Sequence, residues 1–442
     1  MKKALIVLFA MAFVAVFTLP AMAADKAEWS FYGMSRFETR SSDVETSDWT
    51  GTNDPLRDDR DTTWDLTDGS RIGARGDWGH IMGRFEWGYN DGDLAQRHLY
   101  GIWRWHENGF LLIGQSYTPT AVLISNAHLF DGLGMIDMGA FYAGRVPQIK
   151  IEHNWGAFHA EIAFLRPASG TNSANDFQSY FTTINAGGED NAHLAHWNSL
   201  NAAEQAAVPG LIATTRFAGE DDDNAAEADT TLPKIEAMIR YNFGPLTARL
   251  FGGWNEYEMT INIADGDNNG QEVEVDVDSW VVGTVLEFAM GPFYAKGTVY
   301  TGENLNDYGC AQNDALSVWW DPGVNAADGV GTLYDVDDWG WLILAGFKVN
   351  DMLSFEAGYG EVESDLDATY TDAAGDGNPF SLQTGADRWY VNATITLAQG
   401  VSIIPEVGHT DNQEYDFRAA DYGYAVDDGD ETFYGITWKV NF

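Results

Sequence analysis

The sequence predicts a transmembrane antiparallel β-barrel of sixteen strands, with short periplasmic turns and long extracellular loops. Three observations predict it. The chain opens like an exported protein, alternates apolar and polar residues from end to end, and places short turns and long acidic segments by turns along its length.

Lys2 and Lys3 precede an uncharged apolar run from Ala4 to Leu19, then Pro20 and the small-residue site Ala21-Met22-Ala23. That order reads as a signal peptide over residues 1–23, leaving 24–442 as the barrel. The alternative is an N-terminal membrane anchor, but the run is short for a spanning helix. Mean hydropathy is slightly negative. A barrel is compatible with this, because outward apolar and inward polar residues average out.

Of 24 basic residues two fall in the leader, so 22 remain against 67 acidic ones. A chain so acidic repels nucleic acid, and no nucleic-acid partner is expected. The single cysteine, Cys310, fits an exported protein built without disulfides.

Seven short turns each separate two alternating runs: 78–80, 107–109, 155–157, 243–245, 290–292, 349–351 and 398–400. With an opening run at 29–40 and a closing run at 431–442, they give the sixteen strands. Longer segments join the hairpins at 41–63, 117–145, 166–232, 256–277, 301–337, 362–386 and 409–430, with a shorter one at 90–96. Facing is the decisive pattern. Ile81, Phe85, Trp87 and Tyr89 share one phase, as do Ile235, Ile239, Tyr241 and Phe243, with Arg84, Glu86, Lys234, Glu236 and Arg240 on the other. The reading puts no Asp, Glu, Lys or Arg on the outward phase of any strand. A charge at the bilayer midplane costs about 2–4 kcal/mol. A soluble sandwich would not place an aromatic at so many hairpin ends: Trp78, Trp105, Trp155, Phe158, Phe243 and Phe293.

Several segments resemble the general trimeric porins of Gram-negative outer membranes. They are Ser30-Phe31-Tyr32-Gly33, the hairpin from Arg97-His98-Leu99-Tyr100-Gly101 to Ile113-Gly114-Gln115-Ser116-Tyr117, and the closing alternation Tyr434, Ile436, Trp438, Val440, Phe442. The resemblance covers the layout of the whole mature chain, through short motifs. It implies a passive diffusion channel, a homotrimer, an environment of outer-membrane lipid and lipopolysaccharide, and a closing strand read by the outer-membrane assembly machinery. It also implies that the third loop folds into the lumen, its acids facing basic wall residues.

Here that loop is 117–145, with Asp131 and Asp137 as its acids. Its apolar residues, Val122, Leu123, Ile124, Leu129, Phe130, Leu133, Met135 and Ile136, call for a packing surface, either the lumen or a protomer interface. The matching basic residues are Arg36, Arg71, Arg75, Arg84, Arg104 and Arg145, which as a bland alternative would only solvate the wall. Outward glycines Gly33, Gly76, Gly83, Gly101 and Gly114 cluster on the first five strands, as a close-packed trimer interface would require. Asp265, Asp267, Asn269 and Asp276 match positions of a calcium loop, a match that acidic loops also produce by chance. No other cofactor is expected. His98, His106, His153 and His159 are scattered without a nucleophile motif, so no enzyme is expected.

The lumen phase is close to charge balance with a slight basic excess. The negative charge therefore belongs to the loops, and an acidic mouth implies weak cation preference. Two other functions stay open: a substrate-selective channel, which would carry one-sign charges along the lumen, and a structural or adhesive surface barrel.

Overall fold

The computed structural model describes residues 28–45, 58–90, 92–129, 134–136, 138–167, 227–230, 232–265, 268–308, 319–321, 332–371, 377–412, 415–419, 422–426 and 430–442. Residues 1–23, which the sequence reads as a signal peptide, lie outside them.

The strands are β1 (Glu28–Glu45), β2 (Asp58–Leu66), β3 (Arg71–Asp77), β4 (Ile81–Asn90), β5 (Asp93–His106), β6 (Gly109–Tyr117), β7 (Arg145–Trp155), β8 (Phe158–Leu165), β9 (Glu227–Asp229), β10 (Lys234–Phe243) and β11 (Leu246–Asp265). They continue with β12 (Asn268–Met290), β13 (Phe293–Glu303), β14 (Trp319–Asp321), β15 (Thr332–Tyr334), β16 (Asp337–Lys348), β17 (Leu353–Thr371), β18 (Gly377–Ala398), β19 (Val401–Asn412), β20 (Tyr415–Ala419), β21 (Tyr422–Val426) and β22 (Asp430–Asn441).

Sixteen of these form a closed antiparallel barrel. They are β1, β3 to β8, β10 to β13, β16 to β19 and β22, each hydrogen-bonded to the next. The others decorate the long-loop end; β2 and β9, for example, extend along β1 and β11. The barrel closes where β22 pairs with β1, from Met34 against Asn441 to Glu45 against Asp430. Gly33 N donates to Phe442 O at 2.7 Å and Phe442 N returns to Gly33 O at 3.0 Å. Closure leaves the wall no free edge, which a bilayer demands.

All seven expected hairpins occur. Glycines at their tips, such as Gly79, Gly156, Gly244 and Gly400, have positive φ, which a tight turn needs. The outer face is apolar in the expected phase: Ile81, Ile239, Tyr241, Phe243, Ile343, Val349, Trp389, Val391 and Leu397 are all exposed. No helix among the described residues is long and apolar enough to cross a membrane.

The charge-free outward phase has two corrections. Arg97 has the parity of outward Leu99. A register shift, with Glu86 opposite His98 and Trp87 opposite Gln96, inserts one residue there and turns Arg97 into the lumen against Glu86. Glu361 and Glu363 do face outward, opposite Trp341 and Trp339, whose Nε1–H groups donate to them at 3.0 Å. β17 runs past the bilayer there, and near the interface a charge costs only about 0–1 kcal/mol.

The calcium loop does not form. Asp265 on β11 pairs with Asn268 on β12, whereas Asp276 pairs with Glu258 far down the same ladder. At about 3.3 Å per residue the first and last positions are roughly 20 Å apart, too far for one ion. Asn269 sits on β12 near the tip, and Asp267 lies outside the described residues.

Candidate functional site in the lumen

The loop after β6 folds into the lumen, and three wall glutamates hold it. Glu236 on β10 accepts from Thr120 N at 3.2 Å and Thr120 Oγ1 at 2.7 Å. Glu356 on β17 accepts from Asn126 N at 2.6 Å and Asn126 Nδ2 at 2.8 Å. Glu406 on β19 accepts from His128 N at 2.9 Å and Leu129 N at 3.0 Å. Cations take the loop's carbonyls: Arg249 Nη1 donates to Ala121 O at 3.1 Å and Lys296 Nζ to Ile124 O at 2.9 Å. Tyr294 and Tyr390 hydroxyls complete Glu356 at 2.7 and 2.6 Å. Charge-assisted bonds of this kind contribute about 1.5–3 kcal/mol each.

Apolar packing follows the same path. Val122, Ile124, Met135 and Phe141 of the loop form one buried cluster with Phe251, Tyr300, Tyr308, Leu342, Leu344 and Val362 of the wall and the 3-10 turn Leu305–Tyr308. The Phe141 ring lies 4.9 Å from that of Tyr300. The loop's apolar residues thus bury against the lumen wall; Leu123 is exposed, and Phe130 and Leu133 lie outside the described residues.

The opposite wall is basic. Glu86 on β4 binds Arg84 at 2.7 Å, Arg97 at 2.9 Å and the Tyr32 hydroxyl at 2.8 Å, with Arg71 at 3.9 Å. Arg75 lies over the Tyr32 ring at 5.3 Å. Arg145, at the end of the loop, donates to Tyr117 Oη at 3.0 Å and stacks on the rings of Tyr117 and Tyr142. The Arg36 guanidinium packs against Gly69, where any side chain would displace it. On the loop, burial and then the charge of Arg36 push the His128 imidazole down to about 3, so it faces this wall uncharged.

Arg36, Arg71, Arg75, Arg84 and Arg145 thus stand on one side of the lumen, as the sequence indicates. Arg104 does not join them. It clamps Asp77 at 2.9 Å and the Gly79 carbonyl at the first periplasmic turn. As the second lumen-phase residue beyond Tyr100, which pairs with Arg84, it falls too low in the ladder. Asp131 and Asp137 lie outside the described residues. Sequence reasoning missed Arg97, whose signal was a charge in an outward phase. It also missed the loop-holding role of Glu236, Glu356 and Glu406, for which no local pattern exists.

Gly33, Gly76, Gly83 and Gly101 lie on the outer face, and aromatic rings roof part of that row. Phe442 covers Gly33, and Trp78 covers Gly76. Gly114 is a correction. It pairs with Tyr100, whose ring meets lumen-facing His98, and its φ of +130° with the Leu99 carbonyl close by leaves no room for a side chain. At the barrel seam Tyr434, Trp438, Val440 and Phe442 are exposed on one face, with Ile436 in the same phase.

A closed barrel with an apolar exterior, a polar lumen and an inward loop is a membrane barrel of the outer-membrane type. The comparisons agree in fold. The outer membrane channel DcaP of Acinetobacter baumannii matches over 96% of this chain and 100% of its own, with TM-score 0.56 and 15% identity. The trimer form of OmpT, an outer membrane protein of Vibrio cholerae, matches over 95% and 100%, with TM-score 0.52 and 15% identity. No protein-family model and no curated protein matches the sequence.

Proposed function

We propose that the protein is a passive channel that lets ions and small hydrophilic solutes diffuse across the outer membrane, and that it is not an enzyme. One observation carries the reading: the inward loop is strapped to the β10–β19 wall, which leaves the lumen beside the arginines of β1–β5 as the route. The fold is shared with a protein described as an outer membrane channel. Reconstitution in a planar bilayer tests the reading. Stepwise ohmic conductance is expected, and its absence would refute the channel in favour of a structural barrel.

The finer proposals are these. Residues 1–23 are removed on export. The chain assembles as a homotrimer through the face bearing Gly33, Gly76, Gly83 and Gly101, in line with the trimer form recorded for OmpT. Tyr434, Ile436, Trp438, Val440 and Phe442 serve as the assembly signal, and lipopolysaccharide surrounds the outer leaflet. Acidic loops confer weak cation preference at low salt. That preference fades as screening shortens from about 10 Å at 0.1 M to about 3 Å at 1 M.

A second reading, selectivity for anionic solutes, is favoured by the one-sided wall, where among the described residues Glu86 is the carboxylate that faces Arg71, Arg84 and Arg97 within 4 Å. Saturable block of the current by one anionic solute would separate it from non-specific diffusion.

A further inference from the structure

The lumen holds a second basic group, on the loop-bearing side and away from the Glu86 cluster. Arg240 on β10 and Arg249 on β11 are directly opposite each other, near the Phe243–Leu246 turn. Like charges in directly opposed positions destabilise a sheet unless something lies between them. Arg249 donates one Nη1–H to Ala121 O at 3.1 Å, so the start of the inward loop roofs the pair. Among the described residues, Arg240 makes no hydrogen bond or ion pair. The Nε atoms of both arginines are buried without a partner.

The nearby acids are otherwise engaged. Lys150 Nζ lies 3.1 Å from Glu152 and 3.0 Å from Glu161, bridging the two carboxylates. His159, opposite Arg240, shares a hydrogen bond with Asn154 Oδ1 at 2.8 Å. Glu152, His159 and Glu161 bring ligand atoms within 4.8 Å of one another, but Lys150 already supplies their cation. Glu287 faces Thr247 and Lys296 in the ladder and makes no ion pair with either arginine. A contrast is the opposed pair Arg75 and Arg84, where Glu86 lies 2.7 Å from Arg84. That pair has a carboxylate in contact, whereas among the described residues Arg240–Arg249 has none within ion-pair distance, the charges of Glu287 and Glu161 reaching Arg249 only from farther off.

We propose that Arg240 and Arg249 form a second anion station, on the periplasmic side of the inward loop, that takes a small doubly charged oxyanion such as phosphate. Guanidinium forks match the oxygen spacing of such an ion, and a half-buried position limits competition from water. The idea rests on the channel reading for its physiological sense, because the oxyanion would be part of a permeating solute.

The test uses the full-length protein and inorganic phosphate, with two independent readouts. One is phosphate inhibition of potassium chloride current in a planar bilayer. The other is calorimetric phosphate binding in detergent, which needs no conduction. In Arg240→Gln and Arg249→Gln the half-effective phosphate concentration should rise about tenfold, the loss of one charge-assisted contact. In Arg104→Gln, which lies at the first periplasmic turn and outside the basic wall, it should not change. Equal phosphate binding in wild type and Arg240→Gln overturns the proposal, as does an equal effect in Arg104→Gln. If Arg240→Gln fails to fold, Arg240→Lys keeps the charge without the fork, and unaltered binding there is equally fatal. Wild-type protein that binds phosphate through Arg240 but passes no current would sink the channel reading and leave the site standing.

Discussion

The two halves of the lumen are built from the same alternation and end in opposite states. On β10–β18 the inward phase carries Phe251, Val281, Val285, Leu342, Leu344 and Val362, and the loop buries them with Phe141 into a dry core. On β1–β5 the same phase carries Arg36, Arg71, Arg75 and Arg84, and guanidinium groups gather around the buried Glu86. An apolar inward phase needs a filler and a polar one needs water, so the distribution of side chains decides where the loop lies. The carboxylates differ in the same sense. Glu356 and Glu406 accept from the loop and are screened by it, whereas Glu86 faces guanidinium groups.

The largest effect is expected from breaking the dry half. Glu356→Ala leaves Asn126 N and Nδ2 and the Tyr294 and Tyr390 hydroxyls without their acceptor. Stability should fall by about 3–5 kcal/mol, and the freed loop should enlarge single-channel conductance. Thermal unfolding followed by circular dichroism, together with bilayer recording, checks both; unaltered conductance would mean the straps do not hold the loop.

Next comes the wet half. Glu86→Gln removes the carboxylate that bridges Arg84 and Arg97, so the permeability ratio should move toward anions, by a factor on the order of three. Reversal potentials in a salt gradient measure it. A shift toward cations would show that the arginines are not part of the conducting path.

A smaller effect couples the halves. His128 is neutral in the folded loop down to about pH 3, whereas an unfolded histidine takes up its proton near pH 6.5. Its contribution to stability is therefore full above about pH 6.5 and is lost progressively as pH falls toward about 3. Thermal midpoints should drop over that window in wild type and less so in His128→Gln. Parallel pH curves for the two proteins would remove His128 from the account.

The smallest effect is at Arg104. Its exposed pair with Asp77 is worth at most about 1 kcal/mol. Arg104→Ala should leave the reversal potential unchanged, unlike Arg97→Ala, which should shift it. Equal shifts in the two would place Arg104 back in the path.

The strands were legible because lipid enforces a period of two over the whole wall. Every turn named from the sequence closes a hairpin, and Ile239, Tyr241 and Phe243 emerge on the face their spacing assigns. The site was legible only by composition. A run of arginines on one phase located the basic wall, but one inserted residue in β5 moved Arg97 into it, and Gly114, next to exposed Ile113, has the parity of the lumen rather than of the outer face. The calcium pattern misled because it ignored pairing: a strand register separates residues that a loop would gather.

By itself, then, the sequence determined the barrel, its strand number, its lipid face and the need of an apolar loop for a packing surface, because each follows from local periodicity and from burial. Only the tertiary structure decided which wall receives the loop, that Glu236, Glu356 and Glu406 hold it, and that Arg240 and Arg249 stand opposed without an acid between them. The loop straps join residues more than 100 positions apart, and shear and register, which no local pattern encodes, bring them together.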